Sequence, residues 1–108
     1  MILKTEEDEK FKGVEPILEI DQMCEDKLFS QFEIEPEIND DFYPGLGDFK
    51  FTYGITEYGV PLTLYKHLEG LPESRNLIVL AHVDTDINKV IKTLGIPDQS
   101  VVWIRPKN

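Results

Sequence analysis

The sequence predicts an α+β fold, in which a central mixed or antiparallel sheet is flanked by about two helices. Residues 1–108 are expected to form a single compact domain, because 41 % of the 108 residues are hydrophobic and can supply one core. The middle of the chain alternates apolar and polar residues with the period of half-buried strands. The last third has the pattern of a strand, a helix and a strand, which is a βαβ unit.

The first helix that the pattern predicts begins near Glu15. Residues 1–14 are polar and charged, and they are expected to form a short strand or a loosely held arm. Glu15-Pro16 fits a helix start, because a proline at the first helical position loses no hydrogen bond. Apolar residues at spacings of three and four then predict an amphipathic helix of about 15 residues. Its outward face would carry Glu15, Glu19, Asp21, Glu25 and Asp26.

An acidic segment follows this helix. Residues 32–38 alternate apolar and acidic side chains, which predicts an extended strand or arm. Pro36 lacks a backbone donor, so this segment is expected at a sheet edge or in a loop. Three carboxylates, those of Glu33, Glu35 and Glu37, would then point the same way. Residues 39–48 have the composition of a turn.

The second half of the chain predicts the remaining elements. Residues 49–55 and 60–68 are expected to form an antiparallel hairpin, and residues 76–83 a strand that is buried on both faces. Asp84-Thr85-Asp86 would cap a helix that ends at Gly95, with residues 100–105 as a closing strand. If the last two strands are parallel neighbours, their crossover is right-handed.

The net charge of the chain lies entirely in its first half. Residues 1–50 hold 15 Asp/Glu and 5 Lys/Arg, whereas residues 51–108 hold 6 of each. Such a one-sided distribution of charge destabilises the compact state through repulsion between like charges. It therefore suggests that the acids serve a purpose other than folding, and we expect this purpose to be the binding of a basic partner. An acidic surface is repelled by nucleic acid and by anionic lipid, so neither is expected as a direct partner.

A possible catalytic or metal site surrounds His82 and Asp84, which follow the predicted buried strand. The same residues have a simpler use, because Asp84 or Thr85 could cap the following helix. A third ligand is missing nearby, and His67 is the only other histidine. We therefore expect no catalytic residue, metal or cofactor. Cys24 is the only cysteine, so a disulfide within the chain is excluded, which suits the cytoplasm.

The acidic stretch between Glu15 and Asp41 is the predicted partner-binding surface. It contains ten carboxylates and one cation, Lys27, with apolar residues placed among them. Carboxylates can steer and pair with a basic partner, while aromatic side chains provide burial. The predicted partner-binding residues are Glu19, Glu25, Asp26, Glu33, Glu35, Glu37, Asp40, Asp41, Phe42 and Tyr43.

The chain resembles the immunity proteins that bacteria keep in the cytosol against their own nuclease toxins, including toxins of contact-dependent growth inhibition. The resemblance lies in its size, its charge and its acidic stretch EPILEIDQMCED…FEIEPEINDDFYPG. These immunity proteins share no common motif, so no residue role is transferred. The resemblance implies a non-enzymatic protein that forms a tight one-to-one complex with a toxin domain. Three alternatives stay open: a phage inhibitor that mimics nucleic acid, a small enzyme or metal-binding protein that uses His82 and Asp84, and an adaptor subunit.

Overall fold

The described part of the chain, residues 1–39, 48–69 and 73–106 of a computed structural model, contains six strands and two α-helices. The strands are β1 (Glu15–Ile20), β2 (Glu37–Asn39), β3 (Phe49–Ile55), β4 (Pro61–His67), β5 (Leu77–Ala81) and β6 (Val101–Ile104). The helices are α1 (Glu25–Phe29) and α2 (Ile87–Leu94), and short 3-10 turns span Asp8–Phe11, Gln22–Cys24 and Asp98–Ser100. The predicted α+β class is confirmed.

All six strands belong to one sheet with the order β2-β3-β4-β5-β1-β6, and every neighbouring pair is antiparallel. The predicted hairpin is confirmed as β3 and β4. The strand predicted over residues 76–83 forms as β5, but it is fully buried on one face only, because Ile78 and Leu80 are half-buried on the open side of the sheet. Strands β5 and β6 are parallel to each other but are not neighbours, because β1 lies between them. The C-terminal strand–helix–strand unit is therefore split by the first strand of the chain.

The prediction of a helix from Glu15 is wrong for its first part, because residues 15–20 form β1, while a helix forms only at α1. A bulge in the pairing of β1 with β5 explains the error. The register shifts between Pro16 and Leu18, and both Ile17 and Leu18 are fully buried. A regular strand would direct these two neighbours to opposite faces. Two adjacent buried residues, followed by Ile20, instead produce a spacing that is typical of a helix.

The hydrophobic core lies between the two helices and one face of the sheet, which we call the helix face. Residues that are paired directly across antiparallel strands share a face. Thr52, Leu64, Val79 and Leu18 are paired in this way across four strands, and each is buried. They belong to the same core as Leu28 of α1 and as Val90 and Leu94 of α2. Cys24 is buried at the margin of this core.

The N-terminal residues are tied to the sheet and are not a free arm. The backbone of Leu3 exchanges two hydrogen bonds of 2.8 Å with Ile55 of β3, and Ile2 forms a bridge with Phe32. The side chain of Ile2 is 1 % exposed. The close approach requires a glycine at position 54, because a Cβ there would lie 2.7 Å from the carbonyl oxygen of Leu3 and 2.8 Å from Cγ2 of Ile2.

The acidic segment before β2 is extended over only part of the predicted range. Strand β2 has three residues and is an edge strand, so the predicted position of this segment at a sheet edge is confirmed. Residues 33–36 lie outside any strand, and Ile34 uses its carbonyl oxygen to accept a hydrogen bond of 2.7 Å from the hydroxyl of Thr52. Glu33 and Glu35 therefore do not share a regular strand with Glu37.

Candidate partner-binding surface

The sheet face opposite the helices presents a continuous line of side chains, which we call the cross-strand row. It joins directly paired residues of all six strands. In spatial order these residues are Glu37, Phe51, Tyr65, Ile78, Glu19 and Trp103. Because directly paired residues point to the same side, this face, the open face, presents three aromatic rings together with two carboxylates.

The surroundings of the row are also aromatic, and they are only partly covered. Phe49 packs against Phe51 with their ring centroids 5.7 Å apart, and His67 packs edge-on against Tyr65. The 3-10 turn Asp8–Phe11 covers one end of the open face, where Phe11 meets the ring of Tyr53 at 5.3 Å. Most of these rings are half-buried, so part of each is accessible to a partner.

Glu19 is held in a fixed position within the row. Asn76 donates a hydrogen bond of 2.8 Å from Nδ2 to Oε2 of Glu19, and its own Oδ1 accepts one from the backbone of Gln22. Burial raises the pKa of the Tyr65 hydroxyl above 10.0, and the negative charge of Glu19 raises this pKa further. Tyr65 therefore stays protonated at neutral pH and can donate a hydrogen bond.

Four more of the predicted partner-binding residues are exposed acids: Asp26, Glu33, Glu35 and Glu37. Within the described part of the chain, none of these four forms an ion pair. Glu33 accepts one hydrogen bond of 2.6 Å from the backbone N–H of Lys4. Their charges are thus available to an external cation, and Glu37 is the member that also belongs to the cross-strand row.

Glu25 has a different environment from the other predicted residues. Its carboxylate lies on the helix face and accepts hydrogen bonds from Lys66 and, at 3.0 Å, from Lys50. The hydrogen bond from Lys66 is the main cause that lowers the pKa of Glu25, and Lys50 acts in the same direction against the effect of burial. The two lysines already neutralise this acid. The remaining predicted residues, Asp40, Asp41, Phe42 and Tyr43, lie outside the described residues.

His82 and Asp84 line a separate surface cavity of 320 Å³ between the β3–β4 turn and the start of α2. Nε2 of His82 is hydrogen-bonded to the carbonyl oxygen of Lys10, so this imidazole fastens the N-terminal segment. The cap of α2 is Asp86, which accepts from the backbone of Lys89, and not Asp84 or Thr85. Within the described residues, no three His, Cys, Asp or Glu side chains are grouped as metal ligands.

The aromatic members of the row are not among the residues predicted from the sequence to bind a partner. Phe51, Tyr65 and Trp103 lie in segments that were predicted only as strands. The available signal was the alternation of residues 61–67, where Leu62 and Leu64 alternate with Thr63, Tyr65 and His67. Amphipathic rings on the side opposite the leucines are typical of a face that is not fully covered.

No protein-family model, curated protein or solved structure matches the chain. Among the described residues, no helix is both long enough and apolar enough to cross a membrane.

Proposed function

We propose that the protein is an inhibitor that binds and neutralises a cationic partner. The proposed partner is a bacterial nuclease toxin, and the chain acts as a cytoplasmic immunity protein against it. The observation that carries the proposal is the cross-strand row, which combines three aromatic rings with two carboxylates on the helix-free face. No catalytic step is required of the chain.

The row offers the two kinds of contact that a lysine- or arginine-rich surface needs. Aromatic faces attract a guanidinium or ammonium group, a contact that contributes about 0.5–2 kcal/mol according to its exposure. Carboxylates provide charge-assisted hydrogen bonds, which are bidentate when the donor is arginine. Glu37 and Glu19 are four strands apart in the sheet, a separation of about 19 Å, with Phe51 and Tyr65 between them.

The exposed acids outside the row add a long-range field. Asp26, Glu33 and Glu35 have no cationic partner among the described residues, and the whole chain has a formal charge of −10. A field of this sign accelerates encounter with a positive surface and orients it before contact. A nuclease is such a partner, because it must present cations to hold the phosphates of its substrate.

The test begins with a partner recovered from lysate of the source cell at low salt and identified by mass spectrometry. The purified partner is then titrated with the chain while its cleavage of DNA and RNA is measured. We expect a basic nuclease whose activity falls to zero at one equivalent of the chain. Recovery of a partner that is not basic, or a basic nuclease that stays active in the complex, would contradict the proposal.

Two charge-reversal variants test where the partner contacts the chain. The variant Glu33→Lys, Glu35→Lys, Glu37→Lys removes acids next to β2, and the variant Glu6→Lys, Asp8→Lys, Glu9→Lys makes the same change of charge in the N-terminal segment. Only the first is expected to abolish binding, because the second preserves the row and its neighbouring acids. Equal losses from the two variants would show that total charge, and not this surface, determines affinity.

A pair of substitutions that leave the charge unchanged tests whether the aromatic rings of the row contribute to binding. Tyr65→Ala removes an aromatic member of the row, while Tyr58→Ala removes an exposed tyrosine at the β3–β4 turn, distant from the row along β4. Buried aromatic contacts at interfaces are frequent hot spots with losses of about 2 kcal/mol or more. We expect Tyr65→Ala to weaken the complex about thirtyfold and Tyr58→Ala to leave it unchanged.

A further inference from the structure

The two edges of the sheet have opposite chemical character. Strand β2 has only three residues, follows Pro36 and begins with Glu37, and all of these features discourage pairing with another strand. Strand β6 has the sequence VVWI and contains neither a charge nor a proline. Its Val102, Trp103 and Ile104 are 52 %, 41 % and 42 % exposed, which makes three large apolar residues in succession.

The backbone of β6 is available for one more strand. On its inner side β6 is paired with β1. This pairing continues beyond the strand, because the backbone N–H of Arg105 donates a hydrogen bond of 2.9 Å to the carbonyl oxygen of Ile17. Successive residues of a strand direct their backbone groups to opposite sides, so the N–H and C=O of Ile104 face away from β1. Within the described residues, no strand lies beyond β6 in the sheet.

The charge around β6 indicates what could cover it. Residues 76–106 hold three carboxylates and three cations, so this part of the chain is neutral overall. Glu19, which is paired with Trp103, lies in β1 on the inner side of β6, so a basic partner would find fewer carboxylates at the outer edge of β6 than at the β2 edge. A partner for β6 must itself present an uncharged, apolar strand edge, and the chain carries such an edge on β6.

We infer that β6 pairs with β6 of a second copy of the chain, antiparallel and about a two-fold axis, to form a dimer with one continuous sheet. In such a dimer each copy contributes the same three apolar residues to the contact. The two acidic β2 edges would be eleven strand spacings apart, at about 50 Å, which is many times the Debye length of about 8 Å at physiological salt. Among edge-to-edge arrangements, this one places the acids of the two β2 edges farthest from each other.

The dimer is compatible with binding of a cationic protein but does not depend on it. Edge pairing covers neither sheet face. Both copies keep the row accessible from Glu37 to Glu19, and only Trp103 at its end takes part in the dimer contact. Salt distinguishes the two associations: it screens repulsion between two acidic copies, whereas it weakens attraction to a basic partner. Added salt is therefore expected to strengthen the dimer or leave it unchanged, and to weaken the complex with the basic partner.

Sedimentation equilibrium of the purified chain, from low micromolar to millimolar concentration, measures the dimer directly. Trp103 is the only tryptophan of the chain and lies in β6, so its fluorescence reports on the same contact. We expect the mass to rise from one chain to two, with a blue shift of the emission and reduced quenching by acrylamide over the same range. A single-chain mass together with emission that is independent of concentration would overturn the inference.

Two lysine substitutions at opposite edges locate the contact. Val102→Lys puts a charge on β6, the device by which natural edge strands avoid pairing, and is expected to raise the dissociation constant of the dimer about tenfold or more. Ile38→Lys at the β2 edge, where Ile38 is 63 % exposed, is the matched control and is expected to leave it unchanged. Circular dichroism checks that both variants fold. A dimer that resists Val102→Lys and is lost in Ile38→Lys would refute pairing through β6.

Discussion

The substitution Glu25→Gln tests whether this acid stabilises the fold or serves a partner. The carboxylate of Glu25 accepts hydrogen bonds from the ammonium groups of Lys50 and Lys66, whose side chains are 26 % and 15 % exposed. Glutamine has the same shape but no charge, so packing is preserved. The two partly buried lysines then lose their counterion, while Lys50 keeps its position over the ring of Phe29.

The expected cost of Glu25→Gln follows from these contacts. Hydrogen bonds to charged groups contribute about 1.5–3 kcal/mol, and the partial exposure of all three side chains favours the lower half of that range, so we expect a loss of about 2 kcal/mol. The entropy of unfolding of a chain of 108 residues is about 0.23 kcal/mol/K, so the melting temperature should fall by about 9 °C.

The pH dependence gives the sharper test. Because the pKa of Glu25 is lowered from 4.5 in the folded state, its contribution to stability is fully present above pH 4.5 and is lost as the pH falls through the folded-state pKa. Thermal unfolding followed by circular dichroism should therefore show a difference between the two proteins at pH 7 that shrinks below pH 4.5. Asp26→Asn, at the exposed neighbouring position, is the control and should change stability by less than about 0.5 kcal/mol. Equal melting temperatures at pH 7, or a difference that persists unchanged in acid, would refute this reasoning.

Three further predictions concern a backbone contact, a helix cap and a histidine. Gly54→Ala should destabilise the protein by about 1–3 kcal/mol in urea unfolding, because the new methyl would meet the backbone of Leu3; an unchanged midpoint would mean that the N-terminal residues move aside without cost. Asp86→Ala should cost about 1 kcal/mol and Asp84→Ala less than about 0.5 kcal/mol, and equal losses in the same assay would argue against Asp86 as the cap. Burial, helped by the positive charge of Arg75, lowers the pKa of His67, so its imidazole should titrate below 6.5 in an NMR series; a midpoint at or above 6.5 would contradict this environment.

The strands that follow the usual period were predicted well from the sequence, and the segment with a bulge was not. Residues 49–55 alternate strictly, and β3 has those bounds in the structure. Residues 15–20 place both Ile17 and Leu18 in the core, and that spacing follows from the register shift against β5. The shift is a tertiary feature, because it depends on a strand that lies about sixty residues later in the chain.

The candidate surface was predicted in part, for a related reason. Composition identified the acids, but it treated Glu25 and Glu37 alike. Only the pairing of strands places Glu37 beside Phe51, and only the packing of α1 places Glu25 beside two lysines. The row that connects Glu37 to Trp103 depends on a strand order that local sequence does not encode. Charge was therefore visible in the sequence, whereas the aromatic surface that accompanies it required the topology.

The interior position of β1 has a consequence for synthesis and folding. Leu18 is paired with Val79 on one side and with Ile104 on the other, so both neighbours of this strand are translated long after it. On the ribosome, the apolar residues of β1 have no strand partners until β5 and β6 have emerged. Contacts so distant along the chain slow folding, because a large loop must close before they form. We therefore expect the sheet to be completed only once β5 and β6 have emerged from the ribosome, and the period before that to be the time when β1 most needs protection by a chaperone.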